Sequence, residues 1–253
     1  MSETRLPITG LIKGQIPASV LVCGDPARAS KVTAFLEGAE RLSEQREYHT
    51  FAGRFEGVPV AVCSHGVGAA GAAIAFEELI AAGARRLIRI GTCGGLQPQV
   101  TDGDLVIATA AVDSTGFGRL YVPEGYPAVA DWRVTSALAQ AASAANHTCH
   151  TGLVLSNDNF YAGVETPHTP HYPTLSQARV LAVEMECAAL FLVGSMRQVQ
   201  TGAILAVDGN VLESGESMDE YDPHRTVVSN AVTAEIQIAL RALAHLARHD
   251  GGL

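Results

Sequence analysis

The chain has 253 residues, 47% of them hydrophobic and 17% charged, enough to fill the core of one sizeable α/β domain and too apolar for a disordered chain. Lysines and arginines number 17 against 26 aspartates and glutamates, and the resulting formal charge of −9 argues against nucleic acid or an anionic membrane as partner. Five scattered cysteines without a CxxC pair, an N-terminus unlike a signal peptide and the lack of any run of 18 apolar residues point to a reduced, cytoplasmic protein with no membrane span.

Residues 19–23 (SVLVC) form a first short strand. Asp25 followed by Pro26 is a helix-opening signal, and the helix is expected to run to about Leu36. Arg28 lies in its first turn, a poor place for a cation unless an anion binds there; the alternative is a plain surface arginine. Residues 47–55 and 58–64 read as strands joined by a turn at Glu56-Gly57. Between the second of these and a helix through Ala81 lies His65-Gly66-Val67-Gly68-Ala69-Ala70-Gly71, a GxGxxG arrangement. A dinucleotide site would need an acid at the end of the next strand, but the first acid after Ile90 is Asp102. Close packing of helix on strand is the better use of these glycines.

The run Leu87-Ile88-Arg89-Ile90 reads as a buried strand that ends in a glycine-rich loop, Gly91-Thr92-Cys93-Gly94-Gly95. An arginine inside such a strand is costly unless it has an anionic partner. With backbone amides freed by glycines and the Thr92 hydroxyl, it forms half of a pocket for an oxyanion such as phosphate. The competing reading is an ordinary turn with Arg89 satisfied by a structural carboxylate, and this stretch alone does not separate the two.

Residues 104–113 form another strand, 114–127 an irregular segment, 131–145 a helix capped by Asp131, and 151–156 a strand ending in a polar turn that displays Phe160 and Tyr161. Residues 162–178, rich in proline, are expected to be a loop with a short helix; His168 and His171 lack a third ligand, and no metal is expected. Residues 180–193 begin as strand and become helix. Glu184 and Glu186 fall in this apolar run and each needs a partner; at i, i+2 on a strand they point apart, unlike a glycosidase pair. One of them suits a vicinal diol. Residues 202–207 form a final buried strand leading into Asp208-Gly209-Asn210, at the strand end where open α/β sheets place ligands, although Asp208 alone also reads as a turn cap. An acidic loop (213–222) and a long amphipathic helix (227–248) close one domain spanning residues 1–253, with no repeat and no linker.

The chain resembles the nucleoside phosphorylases of the trimeric-to-hexameric superfamily, which includes uridine phosphorylase and bacterial-type purine nucleoside phosphorylase. The resemblance rests on VCGDPAR (22–28), QREY (45–48), SHGVGAAGAAIAFEEL (64–79), IRIGTCGGLQP (88–98), YPAVADW (126–132), SNDNFY (156–161) and VEMECAAL (183–190), in order along nearly the whole chain. It implies an α/β fold with a mixed, partly barrel-like central sheet flanked by helices on both sides. It implies phosphorolysis, with inorganic phosphate as co-substrate and no cofactor, giving free base and ribose 1-phosphate. By motif, Gly24, Arg28, Arg89 and Thr92 would hold phosphate, and Arg46 would reach it from a neighbouring subunit, so a dimer is the minimum working unit and a hexamer the expected assembly. Met185 and Glu186 would hold the ribose, and Phe160 and Glu184 would line the base pocket.

Departures choose the base. Uridine-specific members carry glutamine and arginine just after FYxG, where this chain has Val164 and Thr166. Asp208 in ILAVDGN resembles the strand-end aspartate that protonates N7 of a purine, especially in the apicomplexan enzymes, and that task needs a raised pKa. Purine nucleosides such as inosine or guanosine are therefore the expected substrates, ahead of uridine, of a water-using nucleosidase and of a non-catalytic nucleotide-binding module. Ile8 stands where many members have a histidine for the 5′-hydroxyl. The reading depends on Arg28 and Arg89 converging on one anion rather than both being neutralised by internal carboxylates.

Overall fold

The computed structural model describes residues 4–161, 163–212, 222 and 225–249, so Ala162 and all of the acidic stretch except Asp222 lie outside it. β1 (Ser19–Cys23) is buried throughout and leads into α1 (Pro26–Val32), whose N-cap Asp25 accepts from the Ala27 amide at 2.8 Å. The helix stops short of Leu36 and tightens into a 3-10 turn at Thr33–Phe35, where the Thr33 hydroxyl donates to the Ser30 carbonyl. β2 (Glu37–Gln45) was not expected: it is the outermost strand, mostly exposed, and pairs only with β3 (Tyr48–Phe55), so its sequence carries no apolar alternation. β3 turns into β4 (Val58–Ser64) through Glu56 and Gly57, both at positive φ, the twist that a two-residue hairpin turn requires.

α2 (Ala69–Ala82) is followed by β5 (Arg86–Gly95). Here the structure corrects the sequence reading, because Gly91–Gly95 is strand and not loop. Five of the ten β5 residues pair in that stretch with the last strand. After β6 (Leu105–Ser114) the segment read as irregular contains α3 (Gly116–Tyr121), and a two-residue β7 (Ala128–Val129) follows it. α4 (Trp132–Ala144) starts at Asp131, whose carboxylate accepts from the Arg133 and Val134 amides at 2.8 and 3.2 Å. β8 (Cys149–Asn157), α5 (Tyr172–Gln177), β9 (Ala182–Glu184), α6 (Cys187–Arg197), β10 (Gln200–Asn210) and α7 (Thr226–His249) complete the chain.

The strands form one mixed sheet in the order β10-β6-β8-β9-β5-β1-β4-β3-β2, and β10 pairs with β5 as well, closing the first five into a barrel. β1, β4, β5 and β10 run parallel and are largely buried, which is why each has a continuous apolar run at its centre, broken in β5 by Arg89. One face packs against α2 and α6 around Phe76 and Phe191; the other packs Ile88, Ile90 and Leu138 against α1, α4 and α7. Each fully buried phenylalanine contributes about 2–3 kcal/mol. Closure of the barrel brings the carboxyl ends of β5 and β10 side by side.

Candidate active site

Arg89 is the centre of the site. It is 4% exposed, and its side chain lies along β5 over Gly91, where a Cβ would sit 2.8 Å from the guanidinium carbon. Glycine is needed there for space. The Arg89 Nε donates to Glu184 at 3.2 Å and its Nη2 pairs with Glu186 at 2.5 Å. The sequence expectation that these glutamates point apart is corrected. β9 ends at Glu184 and the chain turns at Met185 into α6, so both carboxylates reach one guanidinium.

The two carboxylates are held differently. Glu184 accepts from the amides of Glu186 and Cys187 at 2.8 and 2.9 Å and from the Ser156 hydroxyl, so its oxygens are engaged by the scaffold. Glu186 accepts from the Gly68 amide at 2.5 Å. Burial pushes the Glu186 carboxyl above its usual range and Arg89 pulls it back. The Gly68 amide of the GxGxxG segment thus donates to an internal carboxylate.

His65 completes this side. It is fully buried between Phe76 and Arg89, 3.4 Å from the arginine Nη1 by its Nε2 and 2.9 Å from the Gly66 carbonyl by its Nδ1. Burial, with the charge of Arg89 behind it, holds its pKa well below the usual value. The ring is therefore neutral, with Nδ1–H donating to Gly66 and Nε2 accepting from Arg89.

Arg28 approaches from α1 on the other side. Its Nη1 lies 3.4 Å from the Ile90 carbonyl and 3.5 Å from Glu235, a wholly buried acid on α7. Arg28 and Arg89 both act on His65, Glu186 and Glu235, which places the two cations in one electrostatic neighbourhood. Internal carboxylates are present beside both, and for Arg89, paired with Glu184 and Glu186, this is what the competing reading of its strand expected. Glu235, however, does not cancel Arg28 at neutral pH: burial pushes its carboxyl up to about 8, so it keeps its proton.

Gly24 lies opposite Gly66, with the Gly66 amide donating to the Gly24 carbonyl at 3.0 Å, and Thr92 is half-buried beside Ala206 of β10. Asp208 is 5% exposed and sits at an irregularity in the β5–β10 ladder, between paired Val207 and Gly209. A bulge of this kind re-aims a side chain that regular alternation would send elsewhere. The Asp208 carbonyl accepts from Arg225 at 2.8 Å, and Arg225 pairs with Asp102 at 2.5 Å.

Other expected site residues stand apart from this cluster. Arg46 is exposed at the β2–β3 turn, at φ 53°, and projects outward instead of joining Arg28 and Arg89. Phe160 is 54% exposed, edge-on to Tyr161 at 5.3 Å, and Met185 is half-buried. Ile8 packs on the α2 side, its amide bound to Glu78 at 3.1 Å. His171 caps α5 by accepting from the Thr174 amide.

Sequence reasoning missed His65, Ser156 and Glu235 as site residues. Glu235 had a readable signal, since it interrupts the apolar stripe Val228, Ala231, Val232, Ile236, Ala239 and Leu240 of the last helix.

With this geometry in hand, the family described as the phosphorylase superfamily matches residues 19–244. A uridine phosphorylase of Treponema pallidum is 39% identical over 236 residues, covering 90% of this chain and 90% of its own. A purine nucleoside phosphorylase of Plasmodium vivax is 38% identical over 239 residues, covering 94% and 95%. The solved purine nucleoside phosphorylase of Toxoplasma gondii, in complex with immucillin-H, superposes with a TM-score of 0.91 at 33% identity, over 98% of this chain and 99% of that one. The class defined by the barrel and the arginine–carboxylate cluster is thereby identified: the chain belongs to the phosphorylase superfamily.

Proposed function

We propose that, within this family of nucleoside phosphorylases, the chain carries out phosphorolysis of purine nucleosides, inosine or guanosine, to free base and ribose 1-phosphate. Inorganic phosphate is the co-substrate and no cofactor is required. Arg28, Arg89, Gly24 and Thr92 hold the phosphate, and Arg46 completes the site from a neighbouring subunit, which suits its outward position. Met185 and Glu186 hold the ribose. Phe160 covers the base and Glu184 lines its pocket; because the Glu184 oxygens are engaged by the scaffold and by Arg89, this carboxylate also fixes the arginine that holds phosphate.

The mechanism follows from charge. A phosphate oxygen attacks the anomeric carbon as the bond to the base nitrogen breaks, and the fixed guanidinium groups place the anion under the developing oxocarbenium centre. Asp208 gives a proton to N7, so the purine leaves neutral. The observation that carries the purine reading is Asp208, buried at the bulge where β10 meets β5. Val164 and Thr166 offer little to a uracil edge. Exposed Val67, Leu120 and Trp132 support an oligomer, a dimer at least and a trimer of dimers as the full assembly. The unpaired cysteines suit a cytoplasmic setting.

The uridine reading is kept as the second, because a uridine phosphorylase matches at equal identity. One assay separates them: hypoxanthine release from inosine and uracil release from uridine, each with and without phosphate. Faster hypoxanthine release that requires phosphate is the expected result. Faster uracil release would replace the purine assignment, and release independent of phosphate would remove the phosphorylase one. A Gly91→Ala variant is expected to displace the Arg89 guanidinium and lower kcat/KM for phosphate by up to about 10²-fold, measured by phosphate titration at saturating nucleoside.

A further inference from the structure

Glu235 is a buried carboxyl to which the proposed mechanism gives no task. It lies on the apolar stripe of α7, fully buried, directly behind the β5 segment assigned to phosphate. Its Oε2 accepts from the Gly91 amide at 3.2 Å, while its Oε1 has no hydrogen-bond partner among the described residues and faces the Arg28 guanidinium at 3.5 Å. That separation is long for a charged pair, and Arg28 retains 14% side-chain exposure on its outer side. A buried carboxyl with one idle oxygen beside a half-committed arginine is a poor structural ion pair.

We propose that Glu235 is a positioning residue for the anion: its carboxyl carries a proton when phosphate is bound, so that Arg28 is given over to the phosphate and not shared with the protein. The inference rests on the phosphate reading above. The groups that face Glu235 are Arg28 from α1, Arg89 and Cys93 from β5, and the main chain at Gly91 and Ala206. Its packed neighbours on α7 are apolar. The two arginines favour the ionised form, but desolvation outweighs them and pushes the carboxyl up to about 8. A dianion docked on Arg28 adds negative charge nearby and strengthens the hold on that proton.

The consequence is a linkage between anion and proton. Below pH 7 Glu235 is protonated with or without phosphate, and binding moves no proton there. Above pH 8 free Glu235 is ionised and competes for Arg28, so anion binding takes up one proton from solvent and affinity falls as pH rises. Sulfate isolates the effect, because it mimics phosphate and does not titrate in this range.

The test is calorimetry of sulfate binding to the full chain at pH 6.5 and 8.5, in buffers of different ionisation enthalpy, with wild type and Glu235→Gln. Glutamine retains an acceptor for the Gly91 amide. The expected result is uptake of half a proton or more by wild type at pH 8.5, none at pH 6.5, and none by Glu235→Gln at either pH. In steady state, KM for phosphate should rise several-fold from pH 7.5 to 9 in wild type and stay flat in the variant, with kcat similar. Should Glu235→Gln fail to fold, the two pH values in wild type still decide. Absent uptake at pH 8.5, or equal uptake in both proteins, overturns the role of Glu235. Failure of wild type to bind sulfate and phosphate at all overturns the phosphate reading itself, and this inference with it.

Discussion

An Asp208→Asn variant is expected to release hypoxanthine from inosine on the order of 10²- to 10⁴-fold more slowly than wild type, the range general acids contribute. Asparagine is nearly isosteric, and its amide still donates a hydrogen bond to N7, but it has no proton to give. The purine would then have to leave as an anion. The fold should tolerate so nearly isosteric a change, and the hydrogen bond that the Asp208 backbone carbonyl accepts from Arg225 does not depend on the side chain. Anion binding should survive as well, since Arg28 faces Glu235 of α7 and Arg89 is held by Glu184 and Glu186. Kinetics of phosphate-dependent base release, paired with sulfate calorimetry, reads both. Turnover equal to wild type would take Asp208 out of the mechanism, and loss of sulfate binding would recast it as a structural residue.

Replacing Arg89 by methionine should be the most damaging single change to the fold. Methionine replaces the aliphatic stem of the side chain and not its guanidinium, so it leaves Glu184 and Glu186 buried at 4% exposure without their counter-ion. Breaking a buried pair in this way costs about 3–5 kcal/mol, a large share of a domain's stability. The sign of the pH dependence follows from Glu186. Burial already raises its carboxyl, and Arg89 is the largest influence pulling it down. Without Arg89 the folded protein holds that proton to higher pH than the unfolded chain does, so stability increases as pH falls towards the unfolded carboxyl value. Urea melts at pH 7.5 and 5.5 should show the deficit shrinking at the lower pH. A deficit unchanged with pH would mean that the two carboxylates find other partners.

These effects concentrate on residues whose significance was unevenly legible. The parallel strands β1, β4 and β10 were readable because their central residues are buried on both faces and form unbroken apolar runs. The starts of α1 and α4 were readable because Asp25 and Asp131 cap them through local chemistry. β2 was not readable, since an exposed edge strand is held by backbone pairing to β3 and leaves no side-chain pattern. Gly91–Gly95 looked like a loop because glycine is rare in strands; β10 makes it a strand, and the space over Gly91 is filled by Arg89.

By itself the amino-acid sequence determined the α/β class, the apolar strands, the capped helices and the need of Arg89, Glu184 and Glu186 for charged partners, because each follows from burial or from contacts a few residues apart. Only the tertiary structure decided that these three are one another's partners, that His65 is a neutral acceptor for Arg89, that Asp208 sits on a bulge and that Glu235 stands behind Arg28. Each of those depends on how β5 meets β4, β9 and β10 and on where α7 crosses the sheet, and side chains that come from separate elements of the chain leave no local pattern to read.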